Sequence, residues 1–310
     1  MTSLKLWRPR RLKLWSGSSL STKLTVIGFV ITLTYILLAL FAPVLASWGW
    51  LQNPQAEVLD NPLNAPPSGV HWFGTNDRGY DVLSRTIFGT QAALQVVVVA
   101  TFFSLVLGVP LGMLSGYFGG PLDTLCLFLM DTIYTLPGLL LAIAVAYILK
   151  DQTLGVLSLL VKDTGILNAA IALSVAYIPQ YYRVVRNHTV SVKTEVFIEA
   201  AQALGASPWR VISRYLFRNV IQSVPVLFTL NAADAILTLA SLGFLGLGFP
   251  EDVPEWGADL SRALESLPTG IWWTAFFPGM AMTILVVGLS LLGEGLNEFV
   301  NPLLRRENWK

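Results

Sequence analysis

Six long apolar runs constrain this chain more than any other feature. A membrane-crossing helix needs about 20 mostly apolar residues, because its backbone must meet all its own hydrogen bonds in hydrocarbon. Runs of that kind lie at 24–46, 92–116, 125–149, 167–182, 220–247 and 272–292. The fourth is the shortest and carries Pro179 and Gln180 at its end, but its neighbours need it to keep their alternation of sides. The chain is 54% apolar and only 13% charged over 310 residues, so little of it is available for a water-soluble globule. The pattern predicts an all-α polytopic membrane protein with six transmembrane helices.

Charge sets the orientation, since cytoplasmic loops carry the excess of Lys and Arg. One side collects Lys5, Arg8, Arg10, Arg11, Lys13 and Lys23, then Arg183, Arg186, Lys193, Arg210, Arg214 and Arg218, then Arg305, Arg306 and Lys310. The other holds Arg78, Arg85, Lys150, Lys162 and Arg262 among many acids, including Glu57, Asp60, Asp77, Asp81, Glu251, Asp252, Glu255, Asp259 and Glu265. Both termini are therefore expected in the cytoplasm. The run at 24–46 is too long for the apolar core of a signal peptide and reads as a retained first helix. Cys126 is the only cysteine, so no disulfide can form within the chain. The basic arm with Trp7 and Trp15 suits an anionic lipid surface rather than nucleic acid.

These readings divide the chain into a basic arm at 1–23, a first span at 24–46, an extracytoplasmic loop at 47–91, a core at 92–293 and a cytoplasmic tail at 294–310. Asp81 is a plausible N-cap, and Val82, Leu83, Thr86 and Ile87 recur at helical spacing, which predicts an amphipathic approach to the second span. Within the core, the loop at 186–219 divides at Gly205. Thr194 to Leu204 reads as one helix, with Val196, Phe197, Ala200, Ala201 and Leu204 as its less polar positions. Gly205 falls where a left-handed residue ends a helix. Ser207 and Pro208 then start a second helix, which continues from Trp209 to Phe217 into the fifth span.

The segment Glu199-Ala200-Ala201-Gln202-Ala203-Leu204-Gly205-Ala206-Ser207 resembles the EAA loop of the membrane subunits of ATP-binding-cassette importers. Further segments resemble the dipeptide, oligopeptide and nickel class of those permeases. They are His71 through Arg85, Gly119-Gly120-Pro121-Leu122-Asp123, Ser241 through Gly248, Trp256-Gly257 and Leu292-Gly293-Glu294-Gly295-Leu296, and they span the chain from His71 to Pro302. The resemblance implies a type I importer permease with a five-helix core formed by spans two to six. It implies a coupling helix in which Glu199, Ala200, Ala201, Ala203 and Gly205 meet the ATPase. The single long span before Phe73-Gly74-Thr75 resembles the C-type member of a B-type and C-type pair, which implies a heterodimer, two cytoplasmic ATP-binding subunits and an extracytoplasmic solute-binding protein. An acid common in the fifth span of the class is replaced here by Leu239, with Asp234 one and a half turns earlier, and Tyr80 stands where a basic residue is frequent.

Ionisable groups inside a span usually face protein or a water-filled path. Asp234 and Asn231, a turn apart, are therefore candidates to line a pore, with a structural hydrogen-bonding role as the alternative. Asp131 reads as a structural residue near the boundary. The glycines of Gly243 to Gly248 suit close helix packing rather than phosphate binding, and no G-x-x-x-x-G-K-[ST] sequence occurs, so ATP and magnesium are expected in partner subunits and no cofactor in this chain. His71 and His188 fall on opposite sides and cannot share a metal. The functional expectation is a non-catalytic permease subunit of an importer for peptides or similar small solutes in a bacterial inner membrane. The alternative is a self-contained ion-coupled carrier or channel using Asp234 and Asp131.

Overall fold

A computed structural model describes residues 20–54, 61–150, 164–250 and 252–300. The basic arm up to 19, residues 151–163 and the tail from 301 lie outside the described residues, and with them Glu57, Asp60, Lys162, Glu251 and the terminal cations. Helix dominates, and no strand occurs among the described residues beyond an isolated bridge between Thr75 and Asp81. The order is α1 (Leu20–Ser47), α2 (Val82–Phe118), α3 (Gly120–Tyr134), α4 (Gly138–Leu149), α5 (Thr164–Lys193), α6 (Val196–Ala203), α7 (Pro208–Phe244), α8 (Trp256–Ser266) and α9 (Trp273–Val300).

Helices α1, α2, α7 and α9 are each long and apolar enough to cross a bilayer, and α3 with α4 makes a fifth crossing if the bent pair is one span. The third apolar run is thus not one straight helix: it turns through 91° between Tyr134 and Gly138. Pro137 is the cause, because its ring disfavours helical backbone at Leu136 and it has no N–H to donate. The run expected as the fourth span lies within α5, a helix of 30 residues and so about 45 Å long, which is not among the helices apolar enough to cross by length and composition. It is less apolar than those helices, and much of it is covered by protein. Leu167, Ala170, Leu173, Tyr177, Tyr181, Tyr182 and Val185 are all buried against neighbouring helices. The amphipathic approach also differs from expectation, since Val82 begins the same unbroken helix that crosses the membrane.

The α2 and α5 helices run side by side in the same direction, and glycine makes their approach possible. Gly108, Gly112 and Gly116 recur every four residues along one face of α2. A methyl group at these positions would stand 2.8 Å from the Tyr181 Cβ, 2.7 Å from the Tyr182 carbonyl oxygen and 2.9 Å from the Arg186 carbonyl oxygen. In a bilayer lipid tails are as apolar as side chains, so helices associate by close contact rather than by the hydrophobic effect, and small residues at four-residue spacing permit it. Ser174 adds a hydrogen bond to the same seam: its Oγ donates to the Ala100 carbonyl at 3.1 Å.

The first helix packs outside this core against α9, again on glycine. Gly28 faces Gly288 and Leu292, and Gly295 faces Thr25. Tyr35 fastens the pair by donating to the Ala281 carbonyl at 2.9 Å. Lipid-side positions on α1, such as Phe29, Val30, Leu40 and Phe41, are exposed and apolar, as a bilayer demands.

Replacing Gly112 with Leu should separate α2 from α5. Overpacking of this kind costs about 1–3 kcal/mol. The expected outcome is a lower midpoint in thermal unfolding of the detergent-solubilised protein, whereas Ala at Gly138, where the added Cβ meets nothing within 4 Å, should leave it nearly unchanged.

Candidate functional site

The loop between α5 and α7 is held at its base by ion pairs. Arg186 donates to both oxygens of Asp123 at 2.6 Å each, a two-pronged contact that fixes α5 against the start of α3. Ser115 donates to the same carboxylate, and Lys193 donates to the Tyr117 carbonyl at 2.6 Å. Arg183 meets Asp131 at 3.2 Å and stacks over Tyr134, which gives Asp131 a structural partner at this end of the bundle. Rigidity at the base leaves the tip to present a surface.

That tip is α6. It is shorter than the sequence reading expected, because Thr194 and Glu195 close a turn after α5 through Thr194 N–H to Ser191 O and Glu195 N–H to Val192 O. Ile198 and Ala201 are its buried residues, while Glu199, Ala200 and Ala203 lie exposed. Val196, Phe197 and Leu204 also point outward, with Leu204 89% exposed. The less polar positions therefore do not form one inward face. Ile198, which the sequence reading passed over, is the residue that seats the helix.

Gly205 ends α6 at φ +83°, in the left-handed region expected for it. The amide of Gly205 bonds to Gln202 O at 2.9 Å and that of Ala206 to Ala201 O at 3.0 Å, the paired bonds of a Schellman cap. Ser207 caps the next helix by accepting from the Arg210 N–H, with Pro208 following it. The helix then passes through a π segment at Val211–Leu216 and a short 3-10 segment at Ile221–Ser223 before its regular run from Val224.

Inside the bundle, Asp234 and Asn231 diverge. Asn231 is buried, and its Nδ2 has no hydrogen-bond partner among the described residues. Asp234 is exposed on α7, and the buried Tyr177 donates its hydroxyl proton to Asp234 Oδ2 at 2.7 Å. A carboxylate at the centre of a membrane helix costs about 2.5–3.5 kcal/mol on insertion scales, so lipid is an unsuitable neighbour for it.

The opposite end of the bundle is clasped by side chains from segments far apart in sequence. Asp81 caps α2, accepting from the Ser84 N–H at 2.8 Å, and lies 3.1 Å from His71 Nδ1. Arg85 pairs with Asp259 at 2.8 Å, both nearly buried. Trp256 and Trp273 donate their indole N–H groups to the Thr86 and Thr75 carbonyls, each at 3.0 Å. Glu255 caps α8 by accepting from the Gly257 and Ala258 amides. Its carboxyl packs against Gly243, where a side chain of any size would displace it. Burial pushes the Glu255 carboxyl up to about 8, against the opposing pull of those two amides. His188 is exposed at the other end, far from His71, and no group of three metal-ligating residues occurs among the described residues.

Comparison with known proteins agrees with this arrangement. Residues 108–306 match the family described as the binding-protein-dependent transport system inner membrane component. The chain is 34% identical to the dipeptide transport system permease protein DppC of Alkalihalophilus pseudofirmus, over 91% of this chain and 87% of that one. It is 32% identical to the oligopeptide transport system permease protein OppC of Bacillus subtilis, over 98% and 92%. It is 36% identical to the glutathione transport system permease protein GsiD of Escherichia coli, over 91% and 86%. Among solved structures, a chain of the MetNI methionine ABC transporter in an inward-facing conformation shares the fold, with a TM-score of 0.53 at 21% identity, covering 71% of this chain and 94% of that one.

The raised Glu255 carboxyl makes stability depend on pH. A folded-state value near 8 above an unfolded value near 4.5 means that the native state binds the proton more tightly, so this contribution is complete below about pH 4.5 and is lost as pH rises towards 8. Thermal midpoints in detergent should therefore fall between pH 5 and pH 8 for the wild type and change less for Glu255→Gln, which stays neutral throughout.

Proposed function

Since the chain belongs to the family of binding-protein-dependent transport system inner membrane components, we propose that it is the C-type permease subunit of an ATP-driven importer for peptides or similar small solutes. The observation that carries the proposal is the outward display on α6. Glu199, Ala200 and Ala203 stand clear of the bundle on a short helix whose base is fixed by the Arg186–Asp123 pair. Exposed Phe197, Leu204 and Trp209 around them supply the apolar surface that a docking partner would cover. We assign this face to an ATPase subunit, with Glu199 meeting a basic residue there and Ala201 serving the inward packing of the helix.

The partners that follow are a B-type permease, two cytoplasmic ATP-binding subunits that bind ATP and magnesium, and an extracytoplasmic solute-binding protein. The chain itself is non-catalytic in this reading. It resides in a bacterial inner membrane with both termini and α6 in the cytoplasm, and the clasp of Arg85, Asp259, Trp256 and Trp273 faces outside. Closure of the ATPases on ATP moves α6, the movement passes into α7, and the pore opens outward to receive solute. Asp234 is assigned to the pore wall, because it is exposed on α7, the helix that leaves the coupling loop directly, whereas the buried Asn231 faces its neighbours in the bundle.

Two measurements test this. Affinity purification of the tagged chain from native membranes should recover a second permease and ATPase subunits; a chain that is always solitary and still transports would favour the ion-coupled carrier. In the purified complex, Gly205→Val forces a β-branched residue to φ +83°, a conformation costing about 1–2 kcal/mol. This variant and Glu199→Lys should each lower solute-stimulated ATPase activity severalfold with insertion intact.

A further inference from the structure

We propose that Asp234, held by the Tyr177 hydroxyl on an otherwise apolar exposed stripe of α7, is the counter-charge for a cationic group of the transported solute, such as the free N-terminal ammonium of a peptide. This rests on the assignment of Asp234 to the pore wall and adds to it the charge of what passes. The exposed positions Leu230, Asp234, Leu237 and Phe244 recur at helical spacing and form one stripe. Leucine and phenylalanine are at ease beside lipid, but a carboxylate is not, so this part of the stripe borders water or a polar partner.

The surroundings favour a passing cation over a resident one. Among the described residues the ion pairs cluster at the two ends of the bundle, and none involves Asp234. Tyr177 is a neutral donor, so its bond to Oδ2 orients the carboxylate without cancelling its charge, and Oδ1 is left for another donor. A metal ion fits poorly, because no cluster of three His, Cys, Asp or Glu side chains forms among the described residues. One carboxylate beside water binds a cation weakly, as a transit site must if the solute is to leave. An ammonium matches this site best: it is compact, it donates several hydrogen bonds, and it needs only one charge partner.

The test reads the local field without knowing the solute. In a Cys126→Ser background, single cysteines are placed one turn to either side, at Leu237 or at Leu230, in the complete complex in membrane vesicles. Each is reacted with a trimethylammonium-bearing and a sulfonate-bearing methanethiosulfonate. The cation-to-anion rate ratio, normalised to a free thiol, is compared between Asp234 and Asp234→Asn. The expected result is reaction with both reagents, a ratio severalfold above one with Asp234, and a ratio near one with Asn. No reaction at either cysteine, or a ratio that Asp234→Asn leaves unchanged, overturns the proposal. Failure of the importer reading would show separately, as a chain that purifies alone, and the labelling ratio would still decide the role of Asp234.

Discussion

The close contact between α2 and α5 is the constraint on which the rest of the structure depends. Hydrocarbon offers no hydrophobic drive to bring two apolar helices together, so their association must come from surfaces that touch. Three glycines supply one such surface, and the α5 backbone at Ile178, Tyr182 and Arg186, with the Val185 and Thr189 side chains, supplies the other. Two polar anchors of the structure sit on this pair. Tyr177, which orients Asp234, lies one turn from Tyr181 on α5, and Arg186, which anchors the loop carrying α6, lies one turn beyond Tyr182.

The two ends of the bundle solve different problems with similar means. At the end that carries α6, an arginine fork and a lysine-to-carbonyl bond fix the base from which α6 is displayed. At the other end, the buried tryptophan N–H groups are satisfied by the carbonyls of Thr86 near the start of α2 and of Thr75 in the chain before it. The Arg85–Asp259 pair ties α2 to α8 there. Such a buried pair adds little net stability against an apolar alternative, but losing one partner would strand a charge. The clasp thus specifies one arrangement of α2, α8 and α9 more than it strengthens it.

Much of this was legible in sequence because membranes permit few solutions. Length and apolarity located the helices, and Gly205, Ser207 and Pro208 announced their turn through the backbone demands of each residue. The motif segments announced the family. What the sequence reading missed has physical causes. The bend at Pro137 was hidden by an unbroken apolar run, since composition does not register a backbone that a single proline cannot continue. The seat of α6 on Ile198 was hidden because an eight-residue helix is positioned by tertiary packing and not by its own periodicity. The Gly108, Gly112, Gly116 spacing is visible in the sequence, but which helix such a face meets depends on the tertiary arrangement. Partnership between Trp256 and Thr86, or Arg85 and Asp259, joins residues about 170 positions apart, which no local pattern reveals.

The mixed winding at the start of α7 gives the loop and the bilayer run a torsional joint. A π segment is wound more loosely than an α-helix and a 3-10 segment more tightly, and here one follows the other within a dozen residues. Exchange of a hydrogen bond between these registers turns the downstream helix about its own axis without breaking it. Under the proposed function, a push on α6 would then reach Asp234 as rotation of α7 about its own axis, so the carboxylate would swing across the path instead of sliding along it.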